Sequence, residues 1–203
     1  MLRHLPLALV YSRLVLGLVI LLGCLLLPAE PLTRPLVATL VVIGLLTDVF
    51  DGILARRLGV ATHRLRRLDS SVDTVFWLCI VAGTLRLWPR FFPDNALWIC
   101  LVLGLEALTY VVSYLRFRRE IALHTLAAKA WALLLMATML QLILTGQTGL
   151  LFSACVVLGV LSRLETLAIV GTLRVWAADV PSLYHARQLR RGQAIRRHPL
   201  FNG

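Results

Sequence analysis

The chain has 203 residues, of which 59% are hydrophobic, with a mean hydropathy of +0.84 and a formal net charge of +11. A soluble domain needs a polar exterior that this composition does not supply, so a soluble globular protein is excluded. The basic residues stand in short clusters between apolar runs, which is typical of membrane topology and not of a nucleic-acid-binding stripe. We therefore predict an integral membrane protein with no nucleic-acid partner.

Six apolar segments follow one another along the chain. A helix needs roughly 20 residues to cross a hydrocarbon core of ~30 Å. The predicted spans are residues 8–28, 35–55, 70–88, 95–115, 125–144 and 150–173, with prolines and glycines at the breaks. We predict an all-α protein with about six transmembrane helices in a catalytic domain over residues 1–180. A basic cytoplasmic tail over 181–203 follows, and residues before Pro6 are compatible with a short interfacial helix.

The distribution of arginines predicts the orientation. With the N-terminus in the cytoplasm, only Arg34, Arg86 and Arg90 fall on the opposite side, whereas the other basic residues outside the spans all fall on the cytoplasmic side. Such a bias predicts that both termini are cytoplasmic. Three basic residues lie inside the predicted spans: Arg13, Lys129 and Arg163.

Four of the ten acidic residues are concentrated around one cytoplasmic loop. Asp48 and Asp51 end the second span, and Asp69 and Asp73 begin the third. Spacings of three and four residues place side chains on one helix face, about 4.5 and 6 Å apart along the axis. The chain returns antiparallel after the loop, so the two pairs are expected to face each other. We call these four residues the aspartate cluster.

The aspartate cluster is predicted to bind divalent metal. A carboxylate at the centre of a transmembrane helix costs roughly 2.5–3.5 kcal/mol, and four of them repel one another. Oxygen ligands select hard cations such as Mg²⁺ or Mn²⁺. The alternative is a set of solvated carboxylates neutralised by the loop arginines, but paired helical spacing favours metal. Two ions beside the lipid suit chemistry on a diphosphate that carries a lipid tail.

The residues from Asp48 to Asp73 resemble the signature of the CDP-alcohol phosphatidyltransferases, D-x2-D-G-x2-A-R-x8-G-x3-D-x3-D. The spacing matches throughout, and the only fixed residue that differs is the second glycine, which is Leu65 here. Family members often begin with P-N-x-L-T-x-x-R, and this chain keeps Pro6, Leu9 and Arg13 of that pattern. The number of spans agrees as well, so the resemblance extends over most of the chain.

The resemblance implies a role for each matching position. Asp48, Asp51 and Asp69 would bind the metal ions, and Asp73 would be the catalytic base and a further metal ligand. The cytidine moiety of the donor would lie against Gly52 and Ala55, and Arg56 would help to hold the CDP moiety. An acceptor alcohol would attack the lipid-side phosphate of a CDP-linked lipid such as CDP-diacylglycerol and release CMP. Leucine at position 65 puts the close approach of the nucleotide in doubt, and Gly59 lies six positions earlier.

Other charged residues also lie in apolar surroundings. Lys129, Arg116 and Arg119 surround the start of the fifth span, where they are candidates for binding the phosphate or carboxylate of the acceptor. Their alternative role is ordinary topological anchoring. Glu106 in the fourth span and Arg163 in the sixth are either functional or a structural ion pair.

Two other functions remain open at this point. Another membrane enzyme that uses a diphosphate, such as a prenyltransferase, also needs metal-binding carboxylates. A cation transporter or a non-catalytic relative is the third possibility, although a transporter would place its carboxylates nearer the membrane centre. The resemblance further implies a homodimer. The small size and the lack of an organelle-targeting segment favour a bacterial plasma membrane, with the active site at the cytoplasmic face.

Overall fold

The computed structural model describes residues 5–27, 32–60, 62–119, 123, 125–193 and 195. These residues form helices and no strand, and six of the helices are long and apolar enough to cross a membrane. The predicted fold class is therefore confirmed. The predicted interfacial helix falls mainly on residues 1–4, outside the described residues, and the orientation of the termini stays a prediction.

The helix boundaries follow the predicted spans closely. In chain order the helices are α1 (Leu5–Leu26), α2 (Thr33–Arg57), α3 (His63–Leu87), α4 (Phe91–Asp94), α5 (Ala96–Phe117), α6 (Leu126–Thr145), α7 (Gly149–Thr172) and α8 (Leu183–Arg190). Here α4 is a single turn, and α8 lies in the predicted basic tail. By their internal contacts the helices form two compact units. One holds α1 to α4 with the last residues of α6, and the other holds the rest.

In the first unit, α1 is the central helix. It packs extensively against both α2 and α3, which pack on each other far less than on α1. The buried face of α1 repeats every three or four residues, as expected for a helix with neighbours along one stripe. This stripe consists of Pro6, Val10, Arg13, Gly17, Ile20 and Cys24. One of its members is an arginine, and that residue lies at the level of the aspartates.

Small residues allow close packing within this unit. A Cβ atom built on Gly17 would lie 3.3 Å from the ring of Phe76 and 3.4 Å from Cys79, both on α3. On α2, a Cβ atom built on Gly44 would overlap the same Phe76 ring. The side chain of Phe76 is thus buried between glycines of α1 and α2, and it sets how closely the three helices approach.

The turn between α2 and α3 has defined ends. Gly59 adopts a left-handed φ of 66° and donates its N–H to the Arg56 carbonyl, while Val60 donates to the Ala55 carbonyl at 3.0 Å. This is the hydrogen-bond pattern with which a glycine ends a helix. The hydroxyl of Thr62 then caps α3 by accepting from the N–H of Leu65 at 3.2 Å. Gly59 therefore terminates α2, which accounts for a glycine at that position.

In the second unit, α7 packs against α5 and α8. The buried face of α7 contains Gly159, where an added Cβ atom would lie 2.7 Å from Nε1 of Trp131 on α6. That indole N–H donates to the Cys155 carbonyl at 3.1 Å. The helix α8 packs on α7 through an apolar cluster whose buried members are Ile169, Leu173, Val180 and Ala186.

Candidate active site

The aspartate cluster lies at the facing ends of α2 and α3, and the four side chains converge. Ligand oxygens of Asp48, Asp51 and Asp69 all lie within 4.8 Å of one another. Asp73 joins them one helical turn after Asp69, through a shared ion-pair partner on α1. The structure thus brings together all four residues predicted for the metal centre.

That shared partner is Arg13. Its Nη1 atom donates to Asp48 at 2.7 Å and also to Asp73, while its Nη2 atom donates to Asp51 at 2.5 Å and also to Asp69. One guanidinium therefore bridges both aspartate pairs. Charged hydrogen bonds of this kind are the strongest that side chains make, and the planar fork of arginine suits several carboxylates at once.

The site is closed on the α1 side and open on the other. The side chain of Arg13 is fully buried and that of Asp51 is only 4% exposed. The side chains of Asp48, Asp69 and Asp73 are each about one third exposed, at 38, 31 and 34%. Three of the four carboxylates are therefore partly exposed at the surface of this group of helices.

The donor set fits divalent cations. When all four carboxylates are ionised, as metal binding requires, they carry four negative charges against the one positive charge of Arg13. Carboxylate oxygens at this spacing are the ligands that Mg²⁺ and Mn²⁺ prefer. All four carboxylates contact the same positively charged group, the guanidinium of Arg13, so they converge on a position that can hold a cation. The residues present therefore fit the predicted metal.

Arg13 is the residue to which sequence analysis assigned no role in the site. From the sequence, Arg13 is a basic residue inside a span and the last position of the P-x-x-L-x-x-x-R pattern. A signal was available, because Arg13 lies three residues after Val10 and four before Gly17, on the same face of α1. A charged residue on the packed face of a membrane helix needs an opposite charge nearby, and the aspartates are the acidic residues at that end of the unit.

The cytidine-pocket candidates lie along α2, next to the aspartates. Gly52 is half-buried, and a Cβ atom built on it would meet only Nη1 of Arg56, at 3.6 Å. Ala55 is buried, whereas Arg56 is exposed in the last turn of the helix. Open space above Gly52 is what a planar base lying against the helix requires.

Leu65 takes the place of the second signature glycine in the first turn of α3. It is half-buried and lies four residues before Asp69, on the same helix face. Gly59 does not replace the missing glycine, since it already ends α2 with a left-handed φ. The departure from the family signature therefore remains a real change in the side chains beside the cluster.

The acceptor-binding candidates belong to the second unit. Arg116 donates to the Leu173 carbonyl at 3.0 Å, at the end of α7, and the guanidinium of Arg119 lies 5.1 Å from the ring of Trp176. Lys129 is exposed in the first turn of α6. Arg116 and Arg119 thus have structural contacts with the segment that follows α7, in addition to any role in binding.

Glu106 and Arg163 form an ion pair between α5 and α7. The guanidinium of Arg163 also lies 4.3 Å from the centroid of the Trp131 ring and donates to the hydroxyl of Ser162 at 3.2 Å. The structure thus shows the ion pair that the sequence offered as one of two explanations for these residues.

The predicted basic tail begins with an ordered helix. The N–H of Leu183, at the start of α8, donates to the Glu165 carboxylate of α7 at 3.3 Å. A cavity of about 470 Å³ at the ends of α7 and α8 is lined by Thr172 and four arginines: Arg174, Arg187, Arg190 and Arg191. These four side chains are exposed, and guanidinium groups at this density attract phosphate.

Fold and site together define a polytopic membrane protein with an acidic centre at one end of a group of three helices, whose carboxylates could hold a metal ion. Residues 3–180 match the family model of the CDP-alcohol phosphatidyltransferases, and the chain belongs to this family. It is therefore a membrane transferase of phospholipid biosynthesis, and the family implies a CDP-alcohol donor and an alcohol acceptor. Comparison with curated proteins and with solved structures gives no significant match.

Proposed function

We propose that this protein transfers a phosphatidyl group from CDP-diacylglycerol to an alcohol and releases CMP, with Mg²⁺ or Mn²⁺ as cofactor. The observation that carries the proposal is the convergence of Asp48, Asp51, Asp69 and Asp73 on a single point, where all four contact the guanidinium of Arg13. Membership of a family that generally depends on divalent metals supports the same conclusion. The family also disfavours the prenyltransferase alternative.

The proposed roles follow the positions of the side chains. Asp48, Asp51 and Asp69 would hold the metal ions, with Asp73 as a further ligand. Bound metal supplies positive charge that stabilises the diphosphate and its leaving group. Gly52 and Ala55 would border the cytosine, and Arg56, exposed one turn beyond Asp51, would bind the phosphates of the donor.

In the proposed reaction, the hydroxyl oxygen of the acceptor attacks the phosphorus atom next to the diacylglycerol. The bond from that phosphorus to the bridging oxygen breaks, and CMP leaves with the bonding electrons. Asp73, which is one third exposed at the open side of the cluster, accepts the hydroxyl proton. A carboxylate is a weak base, but an oriented alcohol needs only modest help.

Arg116, Arg119 and Lys129 are proposed to attract an acidic or phosphorylated acceptor. The arginines of α8 are proposed to lie on anionic lipid at the cytoplasmic face of a bacterial plasma membrane, where they fix the topology. A homodimer is expected from the family resemblance. The first acceptors to test are glycerol 3-phosphate, inositol, inositol phosphate and serine.

The test uses the purified full chain in lipid–detergent micelles. CDP-diacylglycerol is incubated with each alcohol, and CMP and the product mass are measured, with a prenyl diphosphate as the competing donor. We expect CMP only with CDP-diacylglycerol and an alcohol, complete loss with EDTA, and at least a ~10³-fold loss of rate in Asp73→Asn. Asp94→Asn, an exposed carboxylate of α4 outside the cluster, is the matched control and should keep its activity.

Two outcomes would contradict the proposal. One is consumption of the prenyl diphosphate in place of CDP-diacylglycerol. The other is an equal CMP yield from the wild type and from Asp73→Asn. A non-catalytic relative is the second candidate, and the observation that favours it is the occupation of the aspartate cluster by Arg13. It predicts no CMP with any donor and alcohol.

A further inference from the structure

We propose that Arg13 is a tethered counter-cation that occupies the aspartate cluster when no divalent metal is bound and leaves it when metal enters. The inference rests on the proposed function in that it takes the cluster as a metal site. It adds a competition between a side chain of the protein and its cofactor, which sets how much free metal the protein needs.

The first argument is the balance of charge. Without Arg13, four carboxylates around one point would repel one another, and Asp51 would be an almost fully buried charge without compensation. Each of the two aspartate pairs contacts both terminal nitrogens of the guanidinium. Arg13 therefore stabilises the arrangement of α2 and α3 in the absence of metal.

The second argument is that the guanidinium and a metal ion need the same carboxylates. Asp48, Asp51 and Asp69 form the candidate metal group, and each of them accepts a hydrogen bond from a terminal nitrogen of Arg13. A divalent ion carries twice the charge of Arg13 in a smaller volume, so it interacts more strongly with the same carboxylates. A monovalent ion lacks this advantage, so the tether also favours divalent over monovalent cations.

The third argument concerns how Arg13 is held. Its two terminal nitrogens make the four hydrogen bonds to the cluster, whereas its buried Nε atom has no hydrogen-bond partner among the described residues. A buried N–H without a partner is unfavourable. The hydrogen bonds to the carboxylates therefore hold the guanidinium in place. A metal ion that binds these carboxylates removes those hydrogen bonds, so the guanidinium is displaced.

The experiment measures binding of Mn²⁺ alone to the full chain in detergent. Free Mn²⁺ is followed by electron paramagnetic resonance, and thermal unfolding is recorded with and without saturating Mn²⁺. In Arg13→Met we expect about tenfold tighter Mn²⁺ binding, because the competing cation is gone. We also expect a lower Tm without metal and a larger rise in Tm on adding Mn²⁺ than in the wild type.

Arg67→Met is the matched control, since it removes the same charge two residues before Asp69 from an exposed side chain. It should leave the affinity for Mn²⁺ within about twofold of the wild type, because a solvated charge is screened. Where Arg13→Met does not fold, Arg13→Lys serves instead. Lysine keeps the charge but lacks the fork, so its Tm should rise more on Mn²⁺ addition than that of the wild type.

Equal or weaker Mn²⁺ binding in Arg13→Met would overturn the inference, and would make Arg13 a permanent part of the site. The same conclusion follows if Arg67→Met tightens binding as much as Arg13→Met does. Failure of the proposed function looks different, because CDP-diacylglycerol and an alcohol would then give no CMP in the presence of Mn²⁺. The difference in Mn²⁺ affinity between the wild type and Arg13→Met is measured without any substrate and does not depend on that result.

Discussion

Gly52 follows the buried Asp51 on α2. A methyl group added at Gly52 can test ligand binding, because the protein has room for it. A Cβ atom at this position would lie 3.6 Å from the flexible end of Arg56, which is ordinary van der Waals contact. Alanine is also the better helix former, by up to about 1 kcal/mol. Any loss caused by a methyl group here must therefore arise from the ligand.

We predict that Gly52→Ala keeps or slightly raises the Tm but raises the KM for CDP-diacylglycerol about tenfold or more. The physical reason is that the methyl group takes the space proposed for the cytosine ring. Steady-state kinetics and thermal unfolding check both parts, and Mn²⁺ binding should be unchanged. An unchanged KM would place the nucleotide elsewhere.

The single residues of the cluster show how far sequence reasoning reaches. The spacing of Asp48, Asp51, Asp69 and Asp73 was sufficient to predict that these side chains meet. Arg13 lies 35 residues from Asp48 and 60 from Asp73 along the chain, so no local pattern links them. Their contact depends on α1 packing against both α2 and α3, which hydropathy alone does not encode.

At the scale of helices, Gly44 and Phe76 set the distance between α2 and α3. Both are buried, and a methyl group on Gly44 would overlap the aromatic ring. In contrast, a Cβ atom on Gly23 of α1 would have nothing within 4 Å. Two glycines in the same unit therefore differ in what they contribute to packing.

We predict that Gly44→Ala destabilises the protein by about 1–3 kcal/mol, as overpacking of a well-packed core does. Gly23→Ala is the matched control and should leave the Tm unchanged or slightly higher. Thermal unfolding in detergent is the measurement, and Phe76→Leu combined with Gly44→Ala should recover part of the loss. Equal Tm values for the two glycine variants would show that α2 and α3 are free to separate.

The ion pair of Glu106 and Arg163 belongs to the same scale, since it joins α5 to α7. We predict that Glu106→Leu and Arg163→Leu each lower the stability by up to about 3 kcal/mol, because each leaves one charge without its partner. The double variant should recover most of that loss, as measured by Tm.

Activity distinguishes the two interpretations of this pair. A structural pair predicts that the double variant makes CMP at nearly the wild-type rate. A double variant that is stable but inactive would assign the pair to substrate binding.

At the scale of the whole molecule, the arginines are expected to fix one orientation in the membrane. We predict that Arg57→Cys and Gln193→Cys, in a background without the native cysteines, react with an impermeant maleimide only after cells are permeabilised. Arg90→Cys and Gln147→Cys should react in intact cells, because the positive-inside rule places them outside. All four positions are exposed in the structure. The reverse labelling pattern would place the aspartate cluster at the face of the membrane opposite to the cytoplasmic nucleotides.

The six membrane helices can be predicted from the amino-acid sequence alone, because apolar runs of bilayer length and their proline and glycine breaks are local properties. The sequence also indicates the family, because the signature from Asp48 to Asp73 lies within a single helix–turn–helix segment. The three-dimensional fold was needed to show that Arg13 enters the aspartate cluster, that Glu106 contacts Arg163, and that α8 packs on α7. Each of these depends on which faces of distant helices meet, and such long-range packing has no counterpart in hydropathy or spacing.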